Sequence, residues 1–70
     1  MKIEIVIHNP HEKITRYANN PYDINEKVSS VLIKYGIDEE LAIDCACWCE
    51  LATYGESYNE ENFDVYVDED

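Results

Sequence analysis

Between Lys2 and His8 the chain alternates, with Ile3, Ile5 and Ile7 on one side and Lys2, Glu4 and Val6 on the other. A period of two, rich in β-branched residues, predicts a half-buried strand over 2–8. Asn9-Pro10 interrupts it. Lys13 to Ala18 predicts a second, weaker strand that returns as a hairpin over a loop from Asn9 to Glu12, and Asn19-Asn20-Pro21 punctuates its end.

The period then changes. Ile24, Val28, Val31, Leu32 and Tyr35 recur at helical spacing, which predicts an amphipathic helix over 24–35. Asp23 is placed to cap it, with Glu26 completing a capping box and Gly36 stopping it. Asp38 predicts the cap of a second helix over 39–54, with Glu39 and Glu40 in the first turn, where the helix dipole favours acids. Leu41, Cys45, Trp48 and Ala52 form its predicted core stripe, with Trp48 largely buried. Ala42, Ala46, Cys49 and Thr53 form a neighbouring seam of small side chains open to another element. Gly55 ends this helix, and Glu56 to Asn62 reads as a polar loop. Phe63, Val65 and Val67 alternate with Asp64, Tyr66 and Asp68 to predict a last strand over 63–67.

The pattern therefore predicts an α+β fold of order β-(β)-α-α-β. Two helices pack on one face of a small two- or three-stranded sheet, the face lined by Ile3, Ile5, Ile7, Phe63, Val65 and Val67. Seventy residues make a single domain, 1–70. So short a chain buries only about 60% of the surface its unfolded form exposes, which leaves little depth for a substrate cleft. No apolar run approaches the ~18 residues of a membrane span, and no basic-then-apolar leader opens the chain, so a cytoplasmic protein is expected.

Charge changes the picture most. Residues 1–34 hold all five bases and four acids, a net of +1, whereas residues 35–70 hold twelve acids and no base, a net of −12. Such a molecule has one strongly negative part, which steers encounters with basic surfaces and repels the phosphate backbone of nucleic acid. Glu56, Glu60, Glu61, Asp64 and Asp68, interleaved with Tyr58 and Tyr66, are the candidate partner-binding residues, because tyrosine among carboxylates adds contact area beside steering charge.

Other chemistry reads weakly. Cys45, Cys47 and Cys49, with His8 and His11, offer metal-ligand types, but on a helix position 47 points away from 45 and 49, whereas a structural zinc site needs four convergent ligands. Cysteine as a small buried hydrophobe is the expected role, with reduced, metal-free thiols and Cys47 the most reactive. His8 and His11 flank a turn, and a histidine base paired with Cys47 as nucleophile would require the fold to bring them together. There are two glycines, both read as helix stops, so no phosphate-binding loop is present. Neither an enzyme nor a cofactor is expected.

The stretch Trp48-Cys-Glu-Leu-Ala-Thr-Tyr-Gly-Glu-Ser-Tyr58, followed by Phe63-Asp-Val-Tyr-Val67, resembles the ends of small prophage-encoded proteins of Firmicutes. This covers about a third of the chain (residues 48–67). Short length with a strong acidic excess is similar to the anti-CRISPR and anti-restriction inhibitors carried by phages and mobile elements. The resemblance implies a mode of action in a bacterial cytosol: carboxylates presented where a host nuclease or CRISPR effector expects phosphates. It transfers no functional residue, because members of that class share almost no sequence. The alternative is a structural or regulatory interaction protein with incidental acidity, homodimeric through the small-residue seam.

Overall fold

A computed structural model describes all residues from Met1 to Asp70. Its elements are β1 (Lys2–Ile7), β2 (Glu12–Tyr17), α1 (Pro21–Lys34), α2 (Glu39–Leu51), β3 (Ser57–Asn59) and β4 (Phe63–Asp68). The strands form one antiparallel sheet in the order β2-β1-β4-β3. The α+β class, the two helices and the sheet face shared by the first and last strands are as the sequence pattern predicts. The sheet has four strands rather than two or three. The added strand, β3, lies in the stretch read as a polar loop. Only Tyr58 points inward there, and one apolar residue sets no alternation.

In register, Ile3 faces Val67, Ile5 faces Val65 and Ile7 faces Phe63. All six are buried on one side of the sheet, together with Ile24, Val28, Val31 and Leu32 of α1 and Ala42, Cys45, Ala46 and Cys49 of α2. No polar or charged residue is buried, so the core needs no internal hydrogen-bond network to offset desolvation.

Both helices depart from expectation in detail. α1 starts earlier, because Asn20 rather than Asp23 is its cap: Asn20 Oδ1 accepts the Asp23 amide at 2.9 Å. Pro21 then takes the first helical position, where its missing N–H costs nothing and its fixed φ fits. Asp23 instead pairs with Lys27 one turn on, at 3.2 Å, and Glu26 is an exposed helix residue. Gly36 closes α1 at φ +85°, a left-handed conformation that glycine takes without steric cost.

α2 begins as predicted, with Asp38 Oδ2 accepting the Leu41 amide at 3.4 Å, but it ends at Leu51, and Ala52 is already extended. Its buried stripe is rotated from the one predicted. Ala42, Cys45, Ala46 and Cys49 are fully buried, while Leu41, Trp48 and Ala52 are only half-buried at the margin. The small-residue seam is therefore the core-facing side, and short side chains allow α2 to lie close against the larger residues of α1 and the sheet. Trp48, expected to be largely buried, sits at the edge and packs on Tyr58 with ring centroids 5.5 Å apart.

Candidate functional site

The strand order decides where charge falls. β1, β2 and α1 come from the half of the sequence that holds every base, and α2, β3 and β4 from the acidic half. Because β4 pairs with β1, the two halves stand side by side without interleaving. α1 lies over β2, with Lys27 Nζ donating to the Tyr17 carbonyl and the Tyr35 hydroxyl donating to Glu12. α2 lies over β3, with the Tyr58 hydroxyl donating to Asp44 at 3.2 Å. The split along the sequence thus becomes a split across the molecule.

The seven residues singled out from the sequence do not form one patch. Asp64, Tyr66 and Asp68 alternate outward on β4, onto the sheet face that carries no helix, opposite Val6, Glu4 and Lys2 of β1. That face is mixed in sign, since Glu4 receives Lys13 at 3.1 Å and Lys2 at 3.3 Å. The two ammonium groups, Lys13 foremost, hold the Glu4 carboxyl below the usual range.

Asp64 is tied down as well. It accepts Asn59 Nδ2 at 2.8 Å and His8 Nε2 at 2.7 Å, and these bonds, Asn59 first, hold its carboxyl low. His8 Nδ1 lies 2.8 Å from the Glu61 carbonyl. Both ring nitrogens thus face acceptors, an arrangement satisfied when both carry protons. The Asp64 carboxylate, and then the Glu61 carbonyl, push the His8 pKa up. The imidazole bridges the end of β1 to the β3–β4 turn, and His8 N donates to the Asn62 carbonyl at 3.0 Å alongside it.

Glu56 serves a turn: its carboxylate accepts the Thr53 amide at 2.7 Å, which keeps its pKa down. Tyr58 points to the helix side, half-buried between Trp48 and Phe63. Burial first, and then the bond to Asp44, push its phenol up to about 12. Tyr58 is thus a core-lining residue with a polar tip rather than a free contact residue. Glu60 and Glu61 are exposed on the β3–β4 turn.

What the fold brings toward the β3–β4 turn is Asp44 of α2, held by Tyr58. Asp38, Glu40 and Asp44 surround Leu41 in an open hollow of about 390 Å³. Asp44 is bonded to Tyr58, two residues from Glu60. The segments that build this corner, 38–44 and 58–61, include no Lys or Arg. Sequence reasoning read Asp38, Glu39 and Glu40 only as helix-start residues and passed over Asp44. The i, i+4 spacing of Glu40 and Asp44 was the available signal.

Comparison with known protein families, curated proteins and solved structures finds no match to this chain.

The remaining candidates separate. His8 lies with Asp64 beyond the end of β1, on the open side of the sheet, whereas Cys47 is on the helical layer, its sulfur 3.6 Å from Asn25 Nδ2 of α1. The nucleophilic pair does not assemble. Cys45 and Cys49 are buried and Cys47 is exposed. A contact with Cys49, together with burial, pushes the Cys45 thiol up. No three His, Cys, Asp or Glu side chains converge as a metal-ligand set, and no helix is long and apolar enough to cross a membrane.

Proposed function

We propose that this chain is a binding protein, not an enzyme, and that its acidic corner masks a basic, nucleic-acid-binding surface of a partner protein. The observation that carries the reading is the spatial segregation of charge. Twelve acids and no base belong to the half of the chain that forms α2, β3 and β4. A solubilising surface mixes both signs, as the open sheet face does here. The corner built by Asp38, Glu39, Glu40, Asp44, Glu60 and Glu61 offers carboxylates to lysines and arginines that otherwise hold phosphates. That is the mode of action of anti-CRISPR and anti-restriction inhibitors of the DNA-mimic kind, and a host nuclease or CRISPR effector is the proposed partner class.

The contact residues of this reading differ from those the sequence suggested. Glu60 and Glu61 stay in the proposed surface, and Asp38, Glu39, Glu40 and Asp44 join it. Asp64, Tyr66 and Asp68 lie on the mixed sheet face, and Glu56 and Tyr58 serve the fold. Dimerisation through the small-residue seam loses its basis, since Ala42, Ala46 and Cys49 are fully buried within the protomer.

The test is capture from a bacterial lysate with the immobilised chain at low salt, followed by elution with duplex DNA. A partner retained at low salt and released by DNA supports the reading. Retention indifferent to DNA and to salt contradicts it, because surface charge pairing is screened within about 10 Å at 0.1 M salt.

A further inference from the structure

The sheet order leaves two free edges, β2 and β3. β3 is three residues long, but β2 runs for six, long enough to pair with another strand. Its register shows which groups are free. Ala18 N donates to the Met1 carbonyl at 3.0 Å and Met1 N to the Ala18 carbonyl at 2.9 Å, so these residues form a hydrogen-bonded pair. Counting back in twos, Arg16, Ile14 and Glu12 bond to β1, and Lys13, Thr15 and Tyr17 turn their N–H and C=O groups outward.

Two of those three outward carbonyls are already occupied by cations. Arg16 Nη1 donates to the Thr15 carbonyl at 2.9 Å. Lys27, reaching across from α1, donates to the Tyr17 carbonyl and is itself held by Asp23 at 3.2 Å. We infer that Lys27 and Arg16 close the outer edge of β2 against strand pairing with a second copy of this chain.

A second copy is the occupant the edge fits. Antiparallel β2–β2 pairing centred on Thr15 is self-complementary: each copy supplies Lys13, Thr15 and Tyr17 as donors and acceptors, as a two-fold interface requires. It also sets Tyr17 of each copy, 56% exposed, beside Lys13 of the other on the open face, a cation–aromatic contact. Pairing must compete with the two cations for the carbonyls that the incoming N–H groups need, because a cation already seated on each leaves only its second lone pair. Charge-assisted bonds of this kind are about twice as strong as neutral ones. The closed edge keeps a chain with an acidic binding corner monomeric.

The experiment compares wild type with Lys27→Gln, with Arg16→Gln and with both changes, folding being confirmed by circular dichroism. Light scattering and sedimentation are read across a concentration series in added salt, which screens the extra net negative charge of the variants. Amide exchange at Lys13, Thr15 and Tyr17 is followed by NMR. Wild type should be monomeric with those three amides unprotected. The double variant should self-associate at least about tenfold more strongly, the equivalent of one freed charge-assisted hydrogen bond. The three amides should gain protection together, and Lys27→Arg should stay closed.

A monomeric double variant with wild-type exchange overturns the proposal, and so does a wild type already dimeric through this edge. Should the double variant fail to fold, the single variants Lys27→Gln and Arg16→Gln decide the matter with a synthetic peptide copying residues 12–17. Tighter binding to either variant than to wild type supports closure, and equal binding, or none to both, overturns it.

Discussion

Replacing Phe63 with alanine should damage this protein far more than replacing its single tryptophan. Phe63 is fully buried at the start of β4, pairs in register with Ile7, and stacks on Tyr58 with ring centroids 6.1 Å apart. Truncating such a residue removes its transfer free energy and leaves a cavity, a cost of about 3–5 kcal/mol. A 70-residue domain at roughly 0.05–0.15 kcal/mol per residue has only about 4–10 kcal/mol in total. Phe63→Ala therefore removes between a third and all of the stability. Trp48 is only half-buried, packed on Tyr58 at the margin of the core, so Trp48→Ala should cost roughly half as much, about 1.5–3 kcal/mol. Urea unfolding followed by far-ultraviolet circular dichroism gives both values. If Trp48→Ala proves as costly as Phe63→Ala, the inward face of α2 is the stripe of Leu41, Cys45, Trp48 and Ala52 after all. The small-residue side of α2 would then not be its core face.

Two further outcomes follow from the titratable groups and the thiols. His8, raised by Asp64, adds stability that is complete below its ordinary value of 6.5 and is lost as pH rises through the raised folded value. Asp64, held low, adds stability present above its ordinary 3.8 and lost as pH falls through the lowered one, so the bridge is fully effective between the two. NMR titration of His8 should show a pKa above 6.5 that falls in Asp64→Asn, and an unchanged value would remove the bridge. A thiol reagent should label Cys47 alone in the folded protein and reach Cys45 and Cys49 only on unfolding, because those two are buried. Labelling of all three at one rate would mean that α2 is not held in place.

Periodic segments were legible in the sequence, and the reasons are physical. Ile3, Ile5 and Ile7 can alternate only one way in a strand, and Ile24, Val28, Val31 and Leu32 share a face only in a helix. α2 defeated the same reasoning because both of its stripes are apolar, and side-chain size suggested that the tryptophan side should be buried. The small side was buried instead, because two helices on so small a sheet must approach closely. β3 was missed because a three-residue strand is made by its partner β4, not by its own pattern.

The site was legible as charge and not as geometry. The sequence separates acids from bases along the chain, but strand order decides which acids share a surface. Register set Asp64, Tyr66 and Asp68 on the open face opposite Val6, Glu4 and Lys2. The bond from Tyr58 ties Asp44 of α2 to the strand that leads into the β3–β4 turn.

The proposed role of that corner is tested most directly by removing equal charge from two places. Glu40, Glu60 and Glu61 are changed to Gln in one variant. In the other, Asp68, Glu69 and Asp70 at the far end of β4 are changed to Asn, Gln and Asn. Each variant loses three negative charges, and the first set has no side-chain bond in the fold to disturb. Retention of the low-salt partner is then compared with wild type. The corner variant should lose most of the binding while the far-end variant keeps it. Equal loss in both would reduce the effect to net charge, and loss only in the far-end variant would place the binding surface elsewhere.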